Sequence, residues 1–111
     1  MLKVDEQNGI TLTRGDSAIL DVTIKDGDGN TYDYSDDEVK FGVKRSAFDT
    51  ECVLEKTVED GKITLEPEDT AELEFGDYLY DIQLTHVDES ENTSIFTPIA
   101  AARFSVGFNV L

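Results

Sequence analysis

Along most of this chain apolar side chains recur at every second position, the period of a strand with one face in a core. In "SAILDVTIKD" Ala18, Leu20, Val22 and Ile24 share one face, while Ile19, Asp21, Thr23 and Lys25 take the other. "VKFGV" places Val39, Phe41 and Val43 inward against Lys40. "YLYDIQLT" gathers Tyr78, Tyr80, Ile82 and Leu84 on one side, and "RFSVGFNV" does the same through Phe104, Val106 and Phe108. Shorter segments of the same kind are residues 10–13, 53–59, 62–66 and 93–97. No segment carries a sustained helical stripe. The pattern predicts an all-β, antiparallel, immunoglobulin-like β-sandwich of seven to eight short strands, with residues 1–111 forming a single domain.

Turn chemistry divides these segments. Gly15-Asp16 separates the first two strands, and "DGDGN" follows the second. "DGK" at 60–62 predicts a tight hairpin between 53–59 and 62–66, and "DESEN" at 88–92 turns the chain after the tyrosine-rich strand. Residues 66–73, "EPEDTAEL", are the one helical segment, a short turn near 67–73 that crosses from one sheet to the other. Pro67 suits a first helical position, and acids crowd the first turn, where the helix dipole favours them.

The charge narrows the class of partner. Net charge is −16, from 25 acids against 9 bases. That sign disfavours nucleic-acid phosphates and anionic membrane surfaces, and it suits a basic protein partner or divalent cations. The start of the chain has no apolar core of signal-peptide length, and no run approaches a membrane span. Cys52 is the only cysteine, which excludes an internal disulfide and a four-cysteine metal site. It reads as a small, semi-buried apolar side chain in a protein made and folded in the cytoplasm.

The stretch "DGDGNTYDYSDDE", residues 26–38, raises the question of metal. Asp26, Asp28 and Asn30 stand at the alternate spacing that opens a calcium loop. The sixth position, which needs glycine, is Thr31, and the twelfth, which needs a bidentate glutamate, is Asp37. A hairpin turn is therefore preferred. In that reading Gly27 and Gly29 supply positive φ, Tyr32 and Tyr34 face inward, and the acids stay in water. Arg14-Gly15-Asp16 is ordinary turn chemistry rather than an adhesion tripeptide. The acids Glu66, Glu68, Asp69, Glu72, Glu74 and Asp77 read as a solvated turn, with no tryptophan to support a sugar platform. His86 is the only histidine and, like Cys52, is assigned a structural role. No nucleophile elbow, phosphate-cradling glycine loop or zinc spacing occurs, so no catalytic residue and no cofactor is expected.

"LEFGDYLYDIQL" has the form of the corner at which a sandwich sends its chain into a central strand. There a tyrosine hydroxyl ties the strand to the preceding turn. Tyr78 fits that role, with Gly76 and Asp69 as the other corner residues. "LEPEDTA", 65–71, matches the same corner of antibody variable domains, but Leu73 then stands where their tyrosine would be, with neither a cysteine pair nor a core tryptophan.

The order Gly15-Asp16, Asp28-Gly29, Val39-Phe41-Val43, Asp69-Thr70-Ala71 and Gly76 through Ile82 resembles the N-terminal domain family of phage upper baseplate proteins. Small stand-alone proteins of phages and prophages of Gram-positive bacteria look similar, and the resemblance spans about residues 9–108. It implies a non-enzymatic structural or assembly protein of tail, baseplate or neck type, a β-sandwich docking to other virion or assembly proteins. A homo-oligomer is among the arrangements it admits. The location implied is the virion, assembled in the host cytoplasm. The resemblance defines no functional residue, because the matching positions build the fold. A ligand-binding module of immunoglobulin type, with or without calcium, is the alternative. The apolar C-terminal "TPIAAARFSVGFNVL" is the candidate surface for pairing with another subunit.

Overall fold

The computed structural model describes residues 3–4, 8–25, 27–46 and 48–107. Among them the chain forms eight strands and one short helix. The order is β1 (Lys3–Val4), β2 (Ile10–Thr13), β3 (Ala18–Asp21), β4 (Glu38–Lys44), β5 (Leu54–Thr57), β6 (Lys62–Leu65), α1 (Pro67–Thr70), β7 (Gly76–Val87) and β8 (Thr93–Gly107). The larger sheet runs β1-β2-β8-β7-β4-β5, with β1 only two residues long, and β3 and β6 make a second sheet.

The period-two pattern locates the core. Val39, Phe41 and Val43 of β4, Tyr78, Tyr80, Ile82 and Leu84 of β7, and Phe104 and Val106 of β8 are all buried. They join Ala18 and Leu20 of β3 and Ile63 and Leu65 of β6 in one cluster. At its centre Phe41 lies 5.3 Å from the Tyr80 ring and 6.1 Å from the Phe104 ring, both tilted, a favourable aromatic geometry.

The wholly antiparallel arrangement expected from the sequence is corrected on one pairing. β2 runs parallel to β8, Ile10 opposite Phe104 through Thr13 opposite Gly107, which makes the larger sheet mixed. Beyond β2 the chain passes into the second sheet at Gly15-Asp16, and the place beside β2 is taken by β8, which follows β7 by a hairpin within the larger sheet. Alternation reports which face is buried and is silent about strand direction.

Three local expectations change. β3 ends at Asp21: the Val22 N–H still donates to the Gly61 carbonyl, the next position in register, but the Val22 carbonyl accepts the Tyr34 hydroxyl instead of a strand partner. The Asp60-Gly61 turn forms with φ of 51° and 75°, as a two-residue hairpin requires, but β5 pairs with β4 and β6 with β3. Only Glu59 and Lys62 bridge across it. Segments 93–97 and 103–107 are one irregular strand. In β8 Ala100 and Ala101 together face Asp81, and Thr97 and Pro98 together face Gln83. Each extra residue is a bulge that resets the alternation.

α1 carries the chain from the second sheet to the first. The Asp69 carboxylate accepts the Glu66 N–H at 2.7 Å and pairs with Lys56 of β5 at 2.9 Å. Gly76 then enters β7 at φ 135°, a conformation closed to most side chains. The Tyr78 hydroxyl donates to the Glu74 carbonyl at 2.8 Å. Buried Thr70 accepts the Gly15 N–H at 2.8 Å, joining this corner to the β2–β3 turn.

Candidate functional site

The two sheets do not cover one another along their full length, and the uncovered end forms the site. β7 and β8 continue as a hairpin past Thr85, the last β7 residue that pairs with β4. The alternation that buries Ile82 and Leu84 puts His86 next on the same inner face. Across the hairpin Phe96 lies opposite Leu84, returned to the inner face by the bulges, yet remains 60% exposed. No β3 or β6 residue reaches this point, because β3 ends at Asp21 and β6 begins at Lys62.

The segment between β3 and β4 partly roofs the gap. It leaves β3 through buried Ile24 and turns between Lys25 and Thr31, which bridge each other, with the Tyr32 N–H donating to the Ile24 carbonyl at 2.8 Å. Gly29 supplies the positive φ of this turn, at 84°. Gly27 does not, contrary to the expectation for it. Between this roof and the hairpin lies a cavity of about 640 Å³, lined chiefly by Ile24, Tyr32, Leu84, His86, Phe96 and Pro98.

A polar cluster closes its inner side. Asp37 has only 2% of its side chain exposed, and so departs from the expectation that every acid of residues 26–38 is solvated. Its Oδ2 accepts the Tyr32 hydroxyl at 2.5 Å, and its Oδ1 lies 2.5 Å from His86 Nδ1. The Tyr32 hydrogen bond, aided by His86, holds the Asp37 carboxyl below the usual carboxylate range against the opposing effect of burial. The same bond holds the Tyr32 hydroxyl protonated above its ordinary range. With Asp37 ionised, Nδ1 carries the proton that it donates, which in the neutral ring leaves Nε2 as an acceptor. The arrangement fixes the histidine ring at the cavity wall.

Comparison with known protein families, curated proteins and solved structures found no match.

The residues singled out in the sequence are dispersed. Asp26 lies outside the described residues, while Asp28 and Asn30 sit in the turn. Among the described residues no three His, Cys, Asp or Glu side chains are placed to hold a metal ion. The corner residues Asp69, Gly76 and Tyr78 belong to the crossing between sheets. Arg14 stacks 4.3 Å over the Phe75 ring, and its N–H donates to the Gly107 carbonyl at 3.1 Å, so this tripeptide is part of the frame. Glu74 pairs with Arg45 at 3.2 Å, and Asp77 accepts the Ser105 hydroxyl at 2.6 Å.

Cys52 is exposed rather than semi-buried, in a loop that lays its sulfur over Gly42 of β4. It lines a second hollow, of about 410 Å³, with Lys40, Lys44 and Asp81, separate from the cavity that His86 lines. Sequence reasoning missed the Asp37–His86 pair and Phe96. Continuing the β7 alternation one step beyond Leu84 would have placed His86 inward, but the bulges hid Phe96.

Proposed function

We propose that this chain is a non-enzymatic structural or assembly protein of a phage or prophage, of tail, baseplate or neck type, that works by docking to other virion proteins. The observation that carries the reading is the projecting β7–β8 hairpin. Phe96 is 60% exposed there at the open end of the core, and Val87 and Ile95, on the opposite face of the same hairpin, are 56% and 59% exposed. An apolar group standing in water on a chain of net charge −16 is what a docking surface requires. The ordered sequence scheme supports the same reading, since two of its members, Gly15 and Thr70, are in contact. The Tyr78 corner supports an immunoglobulin-like sandwich as the frame.

The test is direct. Phage particles purified from the producing bacterium should contain the chain in fixed ratio to the major virion proteins, measured by quantitative mass spectrometry. Particles assembled without it, with no effect of its deletion on their formation, would remove the assembly reading.

The 640 Å³ cavity favours a second reading, an immunoglobulin-like module that binds a ligand at its open end. Its calcium-dependent form is tested by calorimetric calcium titration with Asp28→Ala as control. Micromolar binding lost in the variant would support it, and no heat at millimolar calcium would end it.

A further inference from the structure

We infer that the open end of the core receives an extended, cationic segment of a partner protein. The segment pairs with the free edge of β8 over Thr93–Thr97 and places one apolar side chain in the cavity beside Phe96. This inference rests on the docking function proposed above and specifies its occupant.

Three observations define the occupant. The first is the edge. β2 flanks β8 only from Phe104 to Gly107, and between Thr93 and Thr97 no described strand pairs with the side of β8 that faces away from β7. Unpaired main-chain groups on a sheet edge are a template for an added strand. Pro98, which has no N–H to donate, marks one end of that template, and the 88–92 turn marks the other.

The second observation is the cavity. A strand lying beside β8 continues the pleat, so its alternate side chains fall on the inner face, level with Phe96. There they meet a recess walled by Ile24, Tyr32, Leu84 and Pro98. The recess is walled mainly by apolar side chains, and the Asp37 carboxylate behind Tyr32 and His86 is already satisfied by them. It therefore favours an aromatic or aliphatic side chain over a charged one.

The third observation is charge. The roof carries Asp28, Asp33 and Asp36, and the hairpin tip carries Asp88, Glu89 and Glu91. Among the described residues, Lys25 and His86 are the basic side chains on the cavity wall. The acids of the hairpin tip, which adjoins Thr93, together with those of the roof favour a partner with lysine or arginine flanking its anchor, and they speed the encounter. They equally disfavour a second copy of this chain, which would bring acidic turns against acidic turns.

The probe is a peptide of about nine residues with alternating Thr and Lys/Arg around one central anchor, prepared with Phe, Leu, Tyr or Ser at that position. Binding to the intact protein is followed by fluorescence anisotropy, and the amides of 93–97 by hydrogen exchange. The apolar anchors should bind about tenfold or more tightly than the Ser peptide, and Phe96→Ser should remove most of that difference. Methylating alternate backbone nitrogens in one of the two possible sets should abolish binding, and the bound peptide should slow exchange at 93–97.

Equal binding by all peptides of the same charge would reduce the effect to diffuse electrostatics and overturn the inference. So would failure of every apolar anchor, or protection of 93–97 that rises with protein concentration without peptide, which would mean self-pairing. These outcomes are separable from the particle experiment. A chain found in virions that ignores all the peptides keeps its proposed function and loses this occupant.

Discussion

At the scale of single residues, two buried polar contacts bind distant parts of the chain. Thr70 is fully buried and accepts the N–H of half-buried Gly15, so Thr70→Val removes the acceptor of that bond. The expected cost is about 0.5–1.5 kcal/mol in urea denaturation, with Thr70→Ser close to the original. Asp37 has its carboxyl held below the ordinary range, so its contribution is present above the unfolded-state value and is lost as pH falls through the folded one. Asp37→Asn should therefore be less stable at neutral pH and show a shallower loss between about pH 5 and pH 3, measured by chemical denaturation across that window. Tyr32 works in the opposite sense, its stabilisation being lost only as pH rises through its raised value, so neutral pH is unaffected. Of these contacts the sequence disclosed little. Thr70 and Gly15 are separated by four strands, and Asp37 looked like one acid among six in residues 26–38. What distinguishes Asp37 is a neighbour brought in from β7, and single-residue chemistry does not contain neighbours.

At the scale of elements, the alternation in β4, β7 and the end of β8 was legible because each strand has one face in the core and one in water. The short helix was legible from Pro67 and its acids. The course of β8 was not, since two extra residues shift its pattern twice within a few positions. One of them, Ala101, sits at φ 53°, in the left-handed region, with its N–H donating to Asp81 at 2.6 Å. A side chain there costs energy that glycine does not, so Ala101→Gly should stabilise the protein by about 0.5–1 kcal/mol. A thermal midpoint unchanged or lowered by the substitution would mean that the methyl group packs well enough to offset the strain. The hairpin turn at 88–92 is held differently, by the Asp88 carboxylate accepting the Ser90 and Asn92 N–H groups at 2.9 Å each.

At the scale of the whole molecule, the acid excess was visible from composition, and it bears on stability as well as on partners. Described cation–carboxylate pairs such as Lys40–Glu55 at 3.5 Å and Lys62–Asp21 at 2.8 Å are exposed, and they neutralise only a fraction of 25 acids. The remaining repulsion is screened by salt, so the thermal midpoint should rise between low ionic strength and about 0.5 M sodium chloride. A midpoint that falls with salt would place the balance with the ion pairs instead. Strand direction lay beyond the sequence at this scale, because no local pattern encodes which distant strand will lie alongside.

The parallel pairing of β2 with β8 also bears on kinetics. This seam matches residues 10–13 with residues 104–107, so in a nascent chain β2 lacks a neighbour on that side until residues 104–107 have been made. Loop closure over that span is slow, and the waiting edge invites mispairing. Refolding is therefore expected on the millisecond-to-second scale of β-rich domains rather than faster, with the β2–β8 seam among the last contacts to form.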